Sequence, residues 1–378
     1  MKRLGVYVLL ALGAFLLVLA LAVKFAVAPR AVTAPLQIPS KYRTLNAGGD
    51  GFHVLNGQTG AEDTVTIHVI RTIAGVTEDS AVAKGGGGDV AVYAETLCLM
   101  KDPNKTNVPC DTSPDLVTVT TDQVAFNRKT GLAIAPDKAK KYGAAVDGDP
   151  SIEHSGLAYK FPIDTKKKTY PFFDTVVGKA FPMDYKGTEK LQRLTVYKFV
   201  QTITDQDVYT NRVLPSTYSN VREVWVEPTT GVIVKGSENI TQTLTGRASL
   251  DPNSDLRDPT LAGKVALKGQ LTFDENTQRN QAQLATDNLP KIKLVRYWLP
   301  LVAGLLGLLA LAVALLLLRQ RSEGGGQHSA DNVAPTPRHQ GPVEQVPGPA
   351  DSPETEPASA DEPTAVDRRA GEVRAPQG

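Results

Sequence analysis

The chain is poor in cysteine and histidine and carries almost no net charge. Its 378 residues include 2 Cys and 5 His, and 41 Lys and Arg balance 40 Asp and Glu. Two cysteines exclude a disulfide-rich mini-domain and a zinc site built from four cysteines. A dedicated nucleic-acid-binding protein would show an excess of basic residues. The sequence therefore predicts no nucleic-acid partner.

Motifs of catalysis and of metal binding are also missing from the sequence. His53, His68 and His154 form neither an i, i+4 pair nor an HExxH motif, so convergent metal ligands are not indicated. No Gly-x-Ser-x-Gly elbow for a nucleophilic serine occurs. We therefore expect a protein that is not an enzyme and that has no metal and no cofactor.

The apolar residues are concentrated in two uncharged runs near the chain ends. The first, Leu4 to Val23, has 20 residues, which span about 30 Å as a helix, the thickness of a hydrocarbon core. Lys2 and Arg3 precede it and favour a cytoplasmic N-terminus. We interpret residues 1–28 as an uncleaved signal-anchor transmembrane helix. A cleaved signal peptide is the alternative, but its apolar region is usually only about 7–15 residues long.

The second run, Trp298 to Leu318, has 21 uncharged residues. Tyr297 and Trp298 suit a membrane interface, and Arg319 follows the run. Residues 297–319 are therefore predicted to form a second transmembrane helix. Two spans place both termini on one side, so we expect a two-pass cell-membrane protein with both termini in the cytoplasm.

The C-terminal tail, residues 320–378, has a different composition. Residues 322–378 contain nine prolines, ten acidic residues and no aromatic residue. Such a segment cannot bury enough apolar surface to offset its ordering entropy, so we expect a disordered, Pro-rich, acidic cytoplasmic tail. It either only solvates the chain end or recruits a cytoplasmic partner.

The segment between the two spans, residues 29–296, is predicted to be a mixed, β-rich extracytoplasmic domain. Apolar residues alternate with polar ones at period two, and β-branched and aromatic residues dominate, in five segments: 64–70, 90–93, 116–119, 194–199 and 265–267. Residues 126–132 and 226–232 each read as strand, short turn and glycine. Thr272 and Glu275 resemble a capping box for a polar helix over 276–288, interpreted as a surface strut that ends before Pro290.

Cys98 and Cys110 enclose a turn-rich loop of 11 residues. In an oxidising compartment the pair is predicted to form a disulfide, whose closure would contribute about 2–3 kcal/mol. Two unrelated thiols are the alternative, which is less usual in an extracytoplasmic domain.

Aromatic residues, prolines and lysines are densest over residues 153–189. We interpret their side chains as candidate ligand-binding residues for a lipid or glycolipid, with aromatic rings on the acyl part and lysines on the headgroup. The candidates are Tyr159, Phe161, Lys166, Lys167, Lys168, Tyr170, Phe172, Phe173 and Tyr185. The alternative is a proline-rich loop whose aromatic rings close the core and whose lysines are solvated.

Five short segments carry a family resemblance: Tyr-Lys-Phe-Pro at 159–162, Lys-Lys-Thr-Tyr-Pro-Phe-Phe-Asp at 167–174, Tyr-Lys-Gly-Thr-Glu at 185–189, Val-Tyr-Lys-Phe at 196–199 and Trp-Val-Glu-Pro-Thr-Thr-Gly at 225–231. With them the chain resembles an actinobacterial membrane-protein family of unknown function, often labelled PorA family porin. The resemblance covers residues 1–320, including both spans, and brings no established activity with it. The architecture alone is loosely similar to class B scavenger receptors, which hold lipids in a tunnel.

The expected fold class is therefore an α+β membrane protein with two terminal transmembrane helices, a large β-rich extracytoplasmic domain and a disordered tail. The leading functional hypothesis is that the domain binds or handles an apolar envelope component, a lipid or glycolipid. One alternative is a structural or sensory membrane protein whose tail recruits a cytoplasmic partner. A channel subunit is the second alternative, and it requires the helices to oligomerise, because both are wholly apolar.

Overall fold

The computed structural model of the chain describes residues 2–56, 59–76, 88–101, 115–139, 142–210, 214–245 and 261–323. Cys110 and the tail beyond Glu323 lie outside these residues. Five α-helices occur in the described part: α1 (Lys2–Ala22), α2 (Ala28–Ala31), α3 (Pro136–Ala139), α4 (Glu275–Lys293) and α5 (Leu299–Glu323). The π-helical segment Val23–Val27 joins α1 to α2, and the π-helical segment Leu294–Trp298 joins α4 to α5.

Eleven strands form one antiparallel sheet between the helices. Its spatial order is β5-β4-β3-β2-β1-β11-β10-β9-β8-β7-β6, so nearly all neighbours are also consecutive along the chain. The strands are β1 (Thr44–Leu55), β2 (Glu62–Gly75), β3 (Val90–Lys101), β4 (Leu116–Asn127), β5 (Ala145–Val146), β6 (Tyr170–Asp174), β7 (Lys179–Leu191), β8 (Leu194–Thr210), β9 (Leu214–Glu227), β10 (Val232–Leu244) and β11 (Val265–Phe273). The five alternating segments of the sequence all lie in these strands, as predicted.

The sheet curves into a half-barrel whose two edges are linked at one end. Isolated bridges run from Phe126 at the end of β4 to Ala133, from Leu132 to Leu157, and from Leu157 to Phe172 in β6. The Leu157 N–H donates to the Pro171 carbonyl at 2.8 Å, and the Phe173 N–H donates to the Leu157 carbonyl at 2.7 Å. The connection between β5 and β6 therefore closes the gap between the two edges.

Both glycine turns occur as the sequence predicts. Gly131 and Gly231 each have φ of +73°, a left-handed conformation that glycine adopts without strain. Gly231 has a second reason to lack a side chain, since a Cβ there would clash with the Phe161 carbonyl oxygen. The turn between β9 and β10 is thereby packed against the segment that precedes β6.

Helix α4 differs from its prediction at both ends. Its N-cap is Asp274, whose carboxylate accepts the Thr277 N–H at 2.6 Å, whereas Thr272 belongs to β11. The helix does not end before Pro290, because the helical stretch continues from Glu275 to Gln320 over 46 residues. Packing against the sheet and the downstream apolar stretch outweigh the hydrogen bond that proline removes.

One face of α4 is part of the core, so its interpretation as a surface strut is wrong. Ala282 and Ala285 are 6% and 0% exposed, and Ala282 packs with Val196, Trp225 and Val234 of the sheet. The small side chains let the helix lie close to the outer face of β10. A polar composition concealed this face because only alanines and a few buried polar groups form it.

The two terminal helices pack against each other and expose large apolar side chains. The stretches Leu4–Ala31 and Glu275–Gln320 are long and apolar enough to cross a membrane. At their contact a Cβ on Gly13 would lie 2.7 Å from Leu311 Cγ, and a Cβ on Gly307 would lie 3.0 Å from the Gly13 carbonyl oxygen. The backbones of α1 and α5 therefore approach closely through these two glycines.

The half-barrel is filled at the end nearest these helices. Phe161 donates its N–H to the Gly231 carbonyl at 3.0 Å, and the nearby Asp164 accepts from Arg296, just before α5, at 2.7 Å. We call the buried cluster at this end the plug. Its members are Leu157, Phe161, Tyr170, Phe172, Met183, Phe199, Val224 and Val226.

Candidate functional site

A cavity of about 1210 Å³ lies inside the half-barrel, beyond the plug. Because side chains alternate between the two faces of a strand, every second residue of each strand faces the interior of the half-barrel, and some of these residues line the cavity. Aliphatic side chains from β1, β2, β3 and β11 form much of its wall, among them Val54, Val69, Leu97, Leu99, Leu267 and Leu271. These strands thus present an apolar surface to the interior, and Val54, Val69 and Leu99 also pack together in a buried cluster.

Polar and charged side chains lie between most of the cavity and the packed end, although Phe172 and Val224 of the plug also line the cavity. We call this group the floor; its members are Arg71, Glu95, Asp122, Asp174, Gln201, Asn220, Arg222 and Glu238. On β2, Arg71 stands between Val69, which lines the cavity, and Ile73, which is buried in a core cluster. On β9, Arg222 likewise precedes Val224 of the plug. The floor is therefore a polar layer across the interior.

Arg222 is the centre of one half of the floor. Its guanidinium lies 3.0 Å from Asp174 and 3.1 Å from Glu238, and it donates to Gln201 Oε1 at 2.8 Å. Register places Gln201, Arg222 and Glu238 directly opposite one another on β8, β9 and β10. Burial alone would lower the pKa of Arg222, but the charges of Glu238 and Asp174 hold that pKa well above its ordinary value.

Arg71 and Glu95 form the corresponding pair in the other half of the sheet. Arg71 Nη2 lies 2.9 Å from Glu95 Oε2, and the Glu95 side chain is only 4% exposed. Burial raises the pKa of Glu95, and the charge of Arg71 opposes that shift. Burial would lower the pKa of Arg71, but Glu95, and then Glu238 on β10, raise it. The two halves of the floor are therefore within electrostatic reach of each other.

Asp122 extends the floor to the edge of the sheet. Its carboxylate is 2.5 Å from His154 Nε2 and accepts the Tyr159 hydroxyl at 2.7 Å. Burial, with the charges of Glu95 and Asp122, holds the pKa of Tyr159 well above its ordinary value, so the hydroxyl remains a donor. His154, which lies in the connection before β6, thereby ties that connection to β4.

The described residues contain no group of three His, Cys, Asp or Glu side chains that could hold a metal ion. The floor carboxylates instead hold guanidinium, imidazole or hydroxyl groups. The arrangement can solvate and orient a polar or charged group of a ligand, and the aliphatic wall can accommodate its apolar part.

The structure does not bring the candidate ligand-binding residues of the sequence together on one surface. Phe161, Tyr170 and Phe172 belong to the buried plug. Phe173 is also buried, with its ring 4.8 Å from the His154 ring. Phe172, Phe173 and Tyr159 nevertheless form part of the cavity lining, at the level of the floor.

The lysines and Tyr185 lie beside the plug, because Tyr185 packs against it with its ring centroid 5.8 Å from that of Phe199. Lys166, Lys167 and Lys168 are exposed, and the Lys166 ammonium is 2.7 Å from Asp164. Lys167 lies over the rings of Tyr185 and Tyr197, 5.7 Å and 5.3 Å from their centroids. The three lysines therefore form an exposed surface beside the plug, near the start of α5, and neither they nor Tyr185 line the cavity.

Sequence reasoning missed the floor and the aliphatic wall. A signal for the floor exists in the strands themselves, because Arg71 alternates with Val69 and Ile73 on β2. Arg222 alternates in the same way with Val224 and Val226 on β9. Such an inward charge in a predicted strand indicates either a buried ion pair or a ligand-facing group. Which carboxylates pair with these arginines depends on strand order and register, which the sequence does not specify.

The chain is similar to proteins that carry the name Porin PorA. The model of the family described as Porin PorA matches residues 6–316, a range that contains the half-barrel and nearly all of both apolar helices. A protein named Porin PorA from Corynebacterium resistens is 26% identical over 284 residues, with 55% of this chain and 69% of that protein covered. A second Porin PorA, from Corynebacterium amycolatum, is 22% identical over 253 residues, with 53% and 64% covered.

Proposed function

The chain belongs to the Porin PorA family, and from this premise we propose that it is a two-pass membrane protein whose half-barrel binds an apolar or amphiphilic envelope component. We propose residues 1–28 and 297–319 as the membrane-spanning segments, 29–296 as the extracytoplasmic domain and 320–378 as a cytoplasmic tail. Two helical stretches, Leu4–Ala31 and Glu275–Gln320, are each long and apolar enough to cross a membrane and support this division. Both termini then lie in the cytoplasm.

The cavity carries the proposal for binding. Its volume of about 1210 Å³ reaches beyond the roughly 300–1000 Å³ of ordinary small-molecule pockets, so it could take a chain-bearing ligand. Aliphatic side chains such as Leu97 and Leu99 offer an apolar wall, and each buried CH₂ of a ligand would contribute about 0.8 kcal/mol. No catalytic role is needed for such binding.

The three exposed lysines beside the plug support a second contact with lipid. Asp164 joins Lys166 to Arg296, which lies two residues before Trp298 at the start of the proposed span. Lys166, Lys167 and Lys168 would therefore lie at the membrane surface, within reach of lipid headgroups. In this arrangement the lysines bind the bilayer, while Tyr159, Phe172 and Phe173 border the internal cavity.

Two further features belong to the same proposal. Cys98 is buried on β3, and we propose that it pairs with Cys110 in the oxidising compartment that an extracytoplasmic domain would occupy. The tail 320–378 would then be on the cytoplasmic side, where it could recruit a partner. A structural or sensory role through that tail is compatible with ligand binding in the half-barrel.

A cavity-filling substitution tests the binding proposal. Leu97→Trp adds a ring system to the cavity wall, so lipid that co-purifies with the full-length protein should be strongly reduced in mass spectrometry of the extracted ligands. Thr96→Trp is the matched control, because Thr96 is exposed on the other face of the same strand. Equal lipid content in the two variants, at equal thermal stability, would exclude the cavity as the binding site.

Channel activity is the second candidate, and the names of both relatives favour it. The plug closes the described interior at the end nearest α1 and α5, so conduction through the half-barrel would require the plug to move. Planar-bilayer recordings of the purified protein distinguish the two functions. Conductance that Leu97→Trp reduces and Thr96→Trp leaves unchanged would establish the half-barrel as a conducting path.

A further inference from the structure

We propose that the floor selects ligands with a cationic ammonium head, so that the proposed occupant of the cavity is an ammonium-bearing amphiphile. This inference rests on the proposed function, because it assumes that the cavity binds an amphiphile. It adds the charge and the hydrogen-bonding character of the ligand head, which the aliphatic wall does not determine.

The charges of the floor carry the first step. Four carboxylates, Glu95, Asp122, Asp174 and Glu238, share the floor with two guanidinium groups, Arg71 and Arg222. The floor therefore has more carboxylates than guanidinium groups, an excess of acidic over basic side chains. A cationic head reduces this excess, whereas an anionic head increases it.

Glu238 is the carboxylate best placed to meet a ligand. It lines the cavity, its side chain is 28% exposed, and it shares Arg222 with the fully buried Asp174. Burial would raise the pKa of Glu238, but the charge and hydrogen bonds of Arg222 hold that pKa below its ordinary value. Glu238 therefore stays ionised at neutral pH. It faces the cavity, and the one guanidinium that neutralises it, that of Arg222, also pairs with Asp174.

An unpartnered buried acceptor points to a donor-rich head. Asn220 is 1% exposed, and its amide nitrogen donates to the Tyr218 hydroxyl at 3.0 Å and to Glu238 at 2.8 Å. Its Oδ1 has no hydrogen-bond partner. Tyr218 and Arg222, two residues away on the same face, both line the cavity. An ammonium group carries three donors and no acceptor, which suits Asn220 Oδ1 together with Glu238.

The geometry also distinguishes an organic cation from a metal ion. In the described part of the chain no three potential ligands converge on a metal-sized space. An alkylammonium head needs no such convergence, since it can bind one carboxylate and one amide oxygen while its chain follows the aliphatic wall. Arg71 Nε, which is buried and has no hydrogen-bond partner, can donate to a hydroxyl or ester oxygen next to the ammonium group.

Three probes with the same alkyl chain test the inference. Dodecylamine, dodecanol and dodecanoate are offered in equal amounts to the detergent-purified full-length protein at pH 7, and native mass spectrometry counts the adducts. The protonated amine should bind about 10-fold more tightly than the alcohol, and the carboxylate should bind most weakly. Glu238→Gln should remove most of the preference for the amine and leave alcohol binding unchanged. Glu95→Gln serves as a second variant if Glu238→Gln does not fold.

Glu223→Gln is the matched control. Glu223 pairs with Lys198 at 2.8 Å on the opposite face of β9, and its replacement should leave the preference intact. Equal binding of the three probes, or a preference for dodecanoate, would overturn the charge inference while the cavity still binds a chain. Failure of all three to bind would overturn the proposed function itself, and the inference with it.

Discussion

Lys160 is a half-buried cation beside the plug. It lies next to Phe161 in the segment that closes the half-barrel, and its ammonium donates to the Phe161 carbonyl at 2.9 Å. Burial lowers the pKa of Lys160 to about 8. In the unfolded chain the group would titrate near its ordinary value of 10.5. The folded protein therefore carries an unfavourable charge at neutral pH.

Lys160→Met should stabilise the protein at pH 7 by about 1–2 kcal/mol, less than the full shift because the side chain is only partly removed from solvent. Between about pH 8 and 10.5 the unfolded wild type binds a proton that the folded state lacks, so its stability rises with pH relative to the variant. The difference in melting temperature should shrink across this window. A difference that is constant with pH, or equal to that of the exposed control Lys190→Met, would contradict the assignment.

The contact between α1 and α5 is the element on which the proposed membrane anchor depends. Lipid chains are as apolar as leucine, so two spans in a bilayer associate through close packing and not through the hydrophobic effect. Gly13 and Gly307 provide that packing, because each lacks the Cβ that would meet the partner helix. The two π-helical segments, Val23–Val27 and Leu294–Trp298, lie at the same border of the two helices with the half-barrel.

Gly13→Leu should force α1 and α5 apart, because even a Cβ at Gly13 would lie 2.9 Å from the Gly307 carbonyl oxygen. Such overpacking costs about 1–3 kcal/mol. Thermal unfolding of the purified protein should shift to lower temperature, and disulfide crosslinking between cysteines introduced on the two helices should decrease. Gly5→Leu on the same helix is the control, since nothing lies within 4 Å of its added Cβ. Equal behaviour of the two variants would mean that the glycine contact is not required.

In the molecule as a whole, the plug closes the half-barrel at the end nearest α1 and α5. The plug fills the helix-side end, the floor lies above it, and the cavity lies beyond the floor. If the helices span the membrane, the cavity faces away from the bilayer. Loading and release would then occur on the extracytoplasmic side, and any exchange with the membrane would require passage through or around the plug.

Cysteine labelling of intact cells tests this topology. Lys190→Cys, at an exposed site of the half-barrel, should react with a membrane-impermeant maleimide, whereas Ser329→Cys in the tail should react only after permeabilisation. Labelling of both introduced cysteines from outside would contradict two spans.

The predicted disulfide has its own test. Non-reducing peptide mapping of the wild type should join Cys98 to Cys110, because the extracytoplasmic compartment proposed for the half-barrel is oxidising. Free Cys98 and Cys110 would contradict the disulfide.

Local patterns predicted the strands, the glycine turns and the two apolar helices, because these features depend on neighbouring residues. The same patterns failed at α4. Thr272 and Glu275 have the spacing of a capping box, yet Thr272 pairs in β11, and Asp274 caps the helix instead. Pro290 indicated a helix end, but the packing of Ala282 and Ala285 on the sheet and the apolar stretch beyond Pro290 outweigh the local signal.

The surroundings of the candidate site were predicted from the sequence, but the site itself was not. Composition and periodicity alone indicated two helices around a β-rich domain, since hydrophobic length and period-two alternation are properties of continuous segments. The plug, the floor and the cavity depend on contacts between distant strands. Arg222 meets Asp174 and Glu238 because β6, β9 and β10 bring residues far apart in the chain to one layer. Tertiary structure alone decided that the aromatic residues of the dense segment close the core, because burial and facing direction follow from how the sheet curves and where its edges meet.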